Sequence, residues 1–284
     1  MRLQVLLSAM NLKDESYVDS LNITSDAVVV NQWSEQSPYA DTLRDECGNV
    51  TGILSIERIK RNNINGDMHE VVFIESSQKG LSRSRNMAIE ASNADICILC
   101  DNDVEYVPYY DRIILKAFEK YSDADLIVFY IKRKEKPEPN YKKEKRMGYL
   151  SVLKIFSPEI AFKRDSIKGI SFNPMFGAGA RYQMGEENIF LYDCLKKGKK
   201  IYYVPVKIAE LREEESTWFK GYDREFFVSR GANYAMMTKT FYPVLILQYA
   251  VRKRKLYKDE TSFVNAVKYM FEGSRLKGVK VYTQ

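Results

Sequence analysis

The chain has 284 residues, with 44 Lys plus Arg against 38 Asp plus Glu, a formal net charge of +6, four cysteines and one histidine. Because 45% of the residues are hydrophobic and 13% aromatic, the chain can bury a full core, which excludes a disordered or fibrous protein. A single histidine argues against a Ser-His-Asp triad or a histidine-rich metal site, and four scattered cysteines argue against a disulfide framework.

Strands and helices alternate through the first half of the chain. Apolar runs of strand length occupy residues 3–9, 26–32, 70–76 and 94–103. Helices are predicted over residues 14–23 and 82–93, whereas residues 51–60 have weaker preferences. This order predicts an α/β fold with a parallel sheet covered by helices on both faces.

Polar residues follow these predicted strands at the point where each strand ends. In such sheets, ligands bind at the carboxyl ends of the strands. Candidate ligand-binding residues at these ends are Ser8, Asn11, Asn31, Gln32, Asp101, Asn102 and Asp103.

Asp101 and Asp103 are the sharpest of these features, since they follow a buried apolar run directly and are spaced by one residue. Two carboxylates at this spacing can share a divalent cation. Oxygen ligands without a nearby histidine favour a hard ion, Mg²⁺ or Mn²⁺, which also holds phosphate oxygens. Most isolated Asp-x-Asp sequences are solvated turns, so the position at a strand end carries the prediction.

A loop at Gly80 leads into the predicted helix that precedes these aspartates. Ser82 is a candidate N-cap, and Arg83 and Arg85 lie near the first turn, where they suit a diphosphate. The alternative is that one arginine forms a salt bridge with Asp95 or Asp101. Both roles are compatible.

The cysteines and the histidine are better explained by packing than by chemistry. Cys97 and Cys100 lie three apart in an apolar strand, on opposite faces of the sheet, so we predict buried thiols rather than a redox or zinc pair. His69 precedes an apolar strand. We interpret it as an ordinary strand-entry residue.

Two basic runs, residues 132–146 and 251–258, hold much of the positive charge. The first is predicted to be a flexible loop. The second follows an apolar segment and precedes the amphipathic residues 263–278, a combination that suits attachment to an anionic membrane surface. The longest apolar stretch, residues 242–251, is about half the ~20 residues of a membrane-spanning helix. The N-terminus is typical of a strand rather than of a signal peptide. We therefore expect a cytoplasmic protein, which could also attach peripherally to the inner face of the membrane.

Residues 80–106, GLSRSRNMAIEASNADICILCDNDVEY, resemble the Arg-Asn and Asp-x-Asp segment of the GT-A glycosyltransferases of inverting family 2. The resemblance implies the GT-A fold, a mostly parallel central sheet with flanking helices and a C-terminal helical extension. It assigns the metal to Asp101 and Asp103, and matches Arg85 and Asn86 to the Arg-Asn pair, beside the nucleotide sugar.

Residues 176–206 resemble a second family segment, with a glycine-containing loop and an acidic pair that opens a helix. The pair is Glu186-Glu187 here, where the family usually has Glu-Asp and its second residue is the catalytic base. A carboxylate that deprotonates an acceptor hydroxyl is what inverting transfer requires. Glu187, or else Glu186, is therefore the candidate base; a helix-opening acid that only stabilises the helix dipole is the alternative.

The resemblance covers residues 1–220, divided into a nucleotide-sugar half, 1–104, and an acceptor half, 105–220; residues 221–284 would form the helical extension. It implies transfer from a nucleoside diphosphate sugar, with UDP expected, to a saccharide or lipid-linked saccharide in capsule, lipopolysaccharide or similar synthesis. Gly177 and Trp218 are weak acceptor-site candidates, whereas Phe226 and Phe227 are predicted core residues. Nucleic acid is not an expected partner, since the basic residues are not interleaved with aromatics.

The sequence also departs from the family pattern. Many relatives have a metal-site histidine after the strand that here contains Pro205, whereas this chain has Arg212 or Glu213 in the corresponding stretch. The usual nucleoside-binding aspartates are replaced by Asn31 and Gln32.

Two alternatives to a glycosyltransferase remain open. A nucleotidyltransferase would also combine a parallel sheet with carboxylate-bound metal, although its expected glycine-rich basic loop is missing after the first strand. A non-catalytic protein that binds nucleotide sugar or membrane within a polysaccharide assembly would bind without turnover.

Overall fold

A computed structural model describes residues 1–33, 53–134, 136–212, 219 and 221–275. The chain forms two compact units, the first made of residues 1–79, 83–171 and 194–214, and the second of residues 80–82, 172–193 and 215–284. The sequence-based division at residue 220 did not indicate that residues 172–193 pack with the C-terminal segment. That grouping depends on long-range contacts, which local sequence patterns do not encode.

The first unit is built on a mixed ten-stranded sheet with strand order β3-β4-β2-β1-β5-β9-β7-β10-β6 and β8 paired to β10. In chain order the strands are β1 Leu3–Met10, β2 Asp26–Gln32, β3 Ile53–Asn62, β4 Met68–Ser76, β5 Ile96–Asp101, β6 Val104–Tyr106, β7 Leu126–Lys132, β8 Lys145–Arg146, β9 Ile160–Lys163 and β10 Ile201–Leu211.

The strands predicted from apolar runs form the parallel part of this sheet. β1 is parallel to both β2 and β5, and β2 is parallel to β4. β7 and β10 form another parallel pair, while antiparallel strands β3, β9, β6 and β8 complete the sheet. Side chains of β1, β2 and β5 are buried along nearly their whole length, as expected for parallel strands covered on both faces.

Two local predictions differ from the structure. The weakly patterned residues 51–60 fall largely in β3, an exposed edge strand whose charged side chains hide the usual alternation. The helix predicted over residues 14–23 is only α1, Tyr17–Ser20. It ends where Asn22 adopts a left-handed conformation with φ of 55°, which does not continue a right-handed helix.

Helices α2, Leu81–Ala91, and α3, Tyr110–Lys120, follow β4 and β6. The prediction that Ser82 caps α2 is wrong, because the helix already includes Leu81. The Ser82 hydroxyl instead donates a hydrogen bond of 2.7 Å to the carbonyl of Phe176. Ser82 therefore binds the loop that precedes the acidic pair, within the second unit.

The second unit contains the start of α4, Glu186–Lys196, followed by α5 Arg224–Met237, α6 Tyr242–Arg252, α7 Arg254–Tyr257 and α8 Phe263–Ser274. The predicted C-terminal helices are therefore present. α5 and α8 cross at Gly231 and Gly273. A Cβ on Gly231 would lie 1.8 Å from the carbonyl oxygen of Met270, and one on Gly273 would lie 1.9 Å from that of Val228. The two backbones are in direct contact, and only glycine fits.

The basic segment 132–146, predicted to be a flexible loop, has little regular structure but is tied to buried groups. Glu159 is fully buried, with an Oε1 3.5 Å from the Lys136 Nζ. The hydroxyl of Tyr130 donates to the Pro137 carbonyl, and the Asn140 amide donates to the Tyr203 hydroxyl at 3.0 Å. Burial raises the pKa of Glu159 and lowers the pKa of Lys136.

The buried thiols agree with the sequence prediction. Cys97, Cys100 and Cys194 are free and buried, while Cys47 lies outside the described residues. Burial raises the pKa of the Cys97 thiol to about 11. Since the thiolate is the reactive form, Cys97 is inert at neutral pH.

His69 is the second residue of β4 and is buried opposite Arg61 of β3, which confirms the strand-entry interpretation. Burial, together with the charge of Arg61, lowers the pKa of His69. The unfolded chain therefore takes up this proton first as the pH falls below about 6.5, and the folded state loses stability there.

We expect the free energy of unfolding to fall less between pH 7.5 and pH 5.5 in His69→Gln than in the wild type. Urea unfolding of both proteins at the two pH values measures this difference. The same loss in both proteins would show that His69 contributes nothing to acid sensitivity.

Candidate active site

The carboxyl ends of β1, β2, β4 and β5 meet at one edge of the sheet in the first unit, as predicted. Ser8 of β1 lies opposite Asp101 of β5, and Gln32 of β2 lies between Met10 and Ser76 on the neighbouring strands. The pairing register therefore brings the polar strand ends together, and we refer to this region as the polar edge.

Asp101 is the last residue of β5 and is held by an arginine from α2. The Arg85 Nη2 donates a hydrogen bond of 2.9 Å to the Asp101 Oδ1. The Arg85 side chain is 1% exposed and that of Asp101 is 21% exposed. Of the two aspartates considered as partners of Arg85, Asp101 forms the salt bridge. The Asp95 carboxylate instead accepts a hydrogen bond from the backbone amide of Arg2. Arg85 would therefore influence a ligand at this edge by holding the Asp101 carboxylate in position.

The other predicted arginine, Arg83, is exposed on the same helix, and its guanidinium donates to the Lys79 carbonyl at 3.3 Å. Asn86, one residue after Arg85, is half-buried. The Ser84 hydroxyl donates to the Ser8 hydroxyl at 2.8 Å. This bond ties the first turns of α2 to the end of β1.

The turn from Asp101 to Asp103 is held by groups outside the motif. Its middle residue, Asn102, is exposed, and its carbonyl accepts a 2.9 Å hydrogen bond from the Tyr17 hydroxyl. The Asp103 carbonyl accepts one of 2.8 Å from the Arg212 amide. The sequence analysis missed Tyr17, since nothing in a short amphipathic segment indicates a contact with residue 102.

Arg212 lies beside Asp103, in the stretch where the family resemblance leads one to expect a histidine. Its side chain binds the Ser20 carbonyl and pairs with Glu105 at 3.3 Å. Glu213, the other residue considered for this place, lies outside the described residues. The Arg212 guanidinium therefore stabilises the surroundings of the aspartate turn.

The ends of β1 and β2 are locked by amide side chains. Asn31 is fully buried, accepts from the Leu12 amide at 2.9 Å and donates to the Leu12 carbonyl at 3.0 Å. The Gln32 amide donates to the Gln78 carbonyl. Asn11 is exposed, with φ of 55°. Asn31 and Gln32 therefore shape the polar edge, and the exposed Asn11 directly follows the last residue of β1.

The acidic pair lies in the second unit, where α4 begins at Glu186 as predicted. Glu186 is buried, whereas Glu187 is half-buried. Gly177 has φ of 101°, and a Cβ there would lie 3.2 Å from the Glu186 carboxyl carbon. The Gly177 loop thus covers Glu186 closely, and Glu187 is the partly exposed member of the pair.

α5 supports the start of α4 through two side chains. The Asn233 Nδ2 donates to the Gly185 carbonyl at 2.7 Å, and Gly185 has φ of 86°, with a hypothetical Cβ 2.2 Å from that nitrogen. One turn earlier, the Arg230 guanidinium lies 5.1 Å from the Tyr249 ring centre. Burial acts to lower the pKa of Arg230, but neighbouring tyrosines and Glu187 raise it above its usual value. Arg230 is therefore a cation within electrostatic reach of Glu187, and no sequence motif indicated it.

Other predicted positions can be placed as well. Phe226 and Phe227 are buried, as expected for core residues, while the acceptor candidate Trp218 lies outside the described residues. Among the residues that the structure describes, no group of three or more His, Cys, Asp or Glu side chains is arranged to hold a metal ion.

Part of the chain matches a known protein family. Residues 60–181 match the model of glycosyl transferase family 2, a segment that includes Arg85, Asp101 and Asp103 and ends before Glu186. This segment therefore corresponds to a family 2 glycosyltransferase domain. No curated protein matches the chain.

Solved structures share its fold. TarS residues 1–349 from S. aureus align with a TM-score of 0.58 and 11% identity over 96% of this chain and 81% of that chain. The same protein in complex with UDP-GlcNAc aligns with a TM-score of 0.59 and 12% identity over 96% and 82%. At these identities the likeness establishes the fold alone, and the predicted α/β fold of the GT-A type is confirmed.

Over the described ranges, no helix is both long enough and apolar enough to cross a bilayer.

Proposed function

We propose that this glycosyltransferase moves a sugar, with inversion, from a UDP-sugar to a saccharide or lipid-linked saccharide acceptor in the synthesis of a surface polysaccharide such as capsule or lipopolysaccharide. The observation that carries the proposal is the turn from Asp101 to Asp103 at the carboxyl end of β5, backed by buried Arg85. UDP is supported by fold likeness to TarS, which was solved with UDP and with UDP-GlcNAc.

The donor set fits a divalent cation. Asp101 uses one carboxylate oxygen for Arg85 and keeps part of its side chain exposed, and Asp103 is half-buried two residues later. Mg²⁺ and Mn²⁺ accept one or two protein carboxylates together with phosphate oxygens and water, so a larger protein cluster is not required. Asp101 and Asp103 would hold Mn²⁺ or Mg²⁺, which when bound neutralises charge on the departing diphosphate.

The remaining groups of the polar edge would bind and orient the donor. Asn11 follows β1 and Arg83 lies in the first turn of α2, and both are exposed; an arginine guanidinium binds phosphate oxygens well. Ser8, Asn31, Gln32, Asn86 and Asn102 form or flank the same edge. Arg85 orients Asp101 rather than touching the diphosphate directly, because it is buried behind that carboxylate.

Glu187 is the base in this proposal. Inverting transfer needs a carboxylate on the face of the sugar opposite the leaving diphosphate, where it takes the proton of the attacking acceptor hydroxyl. Glu187 is half-buried and lies within the electrostatic influence of the Arg230 guanidinium. Glu186 is covered by Gly177 and supports the turn beneath it.

Calorimetric titration with nucleoside diphosphates tests the donor site. We expect UDP to bind the wild type in the presence of Mn²⁺ and at least about tenfold more weakly without it, because a cation held by Asp101 and Asp103 would offset the negative charge of the diphosphate. Asp103→Ala should lose the Mn²⁺-dependent part, whereas Asp259→Ala, at an exposed aspartate outside the edge, should bind like the wild type.

Three results would contradict parts of the proposal. Equal UDP binding by Asp103→Ala and the wild type would remove the aspartates from the donor site. Binding of nucleotide sugar without turnover would favour the non-catalytic scaffold. Release of pyrophosphate from a nucleoside triphosphate would identify a nucleotidyltransferase.

A further inference from the structure

The helix α6 in the second unit is apolar on two sides. Leu245, Ile246 and Ala250 are buried, on a helix that packs against α5 and α8. Four other apolar residues face outward, namely Phe241 at 66% exposure, Val244 at 62%, Leu247 at 49% and Val251 at 65%. We call these four residues the α6 apolar face.

The spacing of these residues makes the face continuous. Val244, Leu247 and Val251 follow one another at intervals of three and four residues, and Phe241 precedes them by three. This is the spacing of a single stripe along an α-helix. A helix with an inward core stripe and a second, solvent-facing apolar stripe needs a further apolar environment to cover the latter.

A basic segment follows the face immediately. Arg252, Lys253, Arg254, Lys255 and Lys258 are all exposed, and Leu256 between them is exposed as well. Lys258 lies 3.9 Å from Asp259. Within the part of the chain that the structure describes, the first four make no ion pair, so their charge is available to an anionic partner.

We propose that the α6 apolar face and the basic segment form a docking surface for an anionic lipid bilayer. The apolar side chains enter the boundary between headgroups and acyl chains, and the basic side chains contact anionic headgroups, which is how interfacial amphipathic helices bind. A protein partner would require complementary shape as well. A bilayer requires only the combination seen here, an apolar stripe joined to uncompensated positive charge.

Co-sedimentation with vesicles tests the surface without donor or acceptor, so its outcome is separable from that of the glycosyl transfer. We expect the wild type to bind vesicles of phosphatidylglycerol and phosphatidylcholine at least about tenfold more tightly than vesicles of phosphatidylcholine alone. Binding should weaken as salt rises from about 0.05 to 0.5 M, because salt screens exposed charges.

Two variants separate the two components. The apolar variant, Val244→Ser with Leu247→Ser and Val251→Ser, should lose binding to both vesicle types. The basic variant, with Arg252, Lys253, Arg254 and Lys255 changed to Gln, should lose about fivefold per charge on anionic vesicles only. The matched control changes exposed residues of the first unit, Leu150→Ser with Lys142→Gln and Lys143→Gln, and should bind like the wild type.

Circular dichroism and the UDP titration show whether each variant is folded. The proposal is overturned if the wild type ignores anionic vesicles, or if the apolar and basic variants bind them as tightly as the control. It is also overturned if sedimentation velocity shows a wild-type dimer that the apolar variant lacks, since a second copy would then cover the face.

Discussion

Replacement of Glu187 with Gln is expected to lower kcat by about 100-fold to 10,000-fold, the usual contribution of a general base. Gln keeps the size and the hydrogen-bonding oxygen of the side chain but cannot accept the acceptor proton. The affinity for UDP should be unchanged, because the change leaves the polar edge of the first unit intact. Initial rates of sugar transfer, combined with the UDP titration, measure both quantities.

The matched control is Glu186→Gln, which alters the neighbouring carboxylate. Glu186 is buried under Gly177, so we expect a smaller loss of rate and a loss of stability. Transfer at the normal rate by Glu187→Gln would remove this residue from catalysis. A larger loss of kcat in a folded Glu186→Gln protein would move the role of base to Glu186.

Replacement of Asp101 with Ala is expected to destabilise the protein by about 3 kcal/mol, as well as to impair metal-dependent binding. Arg85 is buried at the base of α2, and its salt bridge with Asp101 is 2.9 Å long. Asp101 is one of the groups that hold this buried charge, and loss of one partner of a buried pair costs roughly 3–5 kcal/mol. Urea unfolding of the two proteins measures the difference.

A double-mutant cycle separates the charge effect from the loss of the side chain. Arg85→Met combined with Asp101→Ala removes both charges, so the double variant should be more stable than Asp101→Ala alone. Asp103→Ala should have a smaller effect on stability. Additive losses in the cycle would show that the Arg85–Asp101 bond does not stabilise the fold. Because Asp103 has the smaller expected effect on stability, it is the better position for testing metal binding.

The parallel strands were predictable because buried parallel strands are continuous apolar runs. β1, β2, β4 and β5 agree with the predicted ranges to within a few residues. β3 was missed because an edge strand exposes charged side chains on both faces. Antiparallel β9 is only four residues long, and the short run Ile160–Lys163 has no local signature that sets its place between β5 and β7.

The candidate site residues were easier to propose from the sequence than the residues that support them. Asp101, Asp103 and Glu187 stood out because acidic residues at a strand end or a helix start form local patterns. For Arg85 the sequence suggested a diphosphate contact, a salt bridge with Asp95 or Asp101, or both, and the helix pattern did not indicate that its side chain is buried.

The residues that support the site from a distance could not be identified in the same way. Tyr17 reaches the aspartate turn across 85 positions of the chain, and Asn233 reaches Gly185 across 48. Such contacts depend on tertiary packing, which one sequence does not reveal.

The contact between α5 and α8 at their glycines limits where the chain can be truncated. α8 rests on the α5 backbone at Gly231 and Gly273, and α5 in turn presents Asn233 to the turn before Glu186. A stop codon placed after α6 would remove α8 and uncover the helix that supports the acidic pair. Engineered fusions are therefore better joined beyond Ser274. The last helices form an exposed surface, and they also support the turn that carries the candidate base.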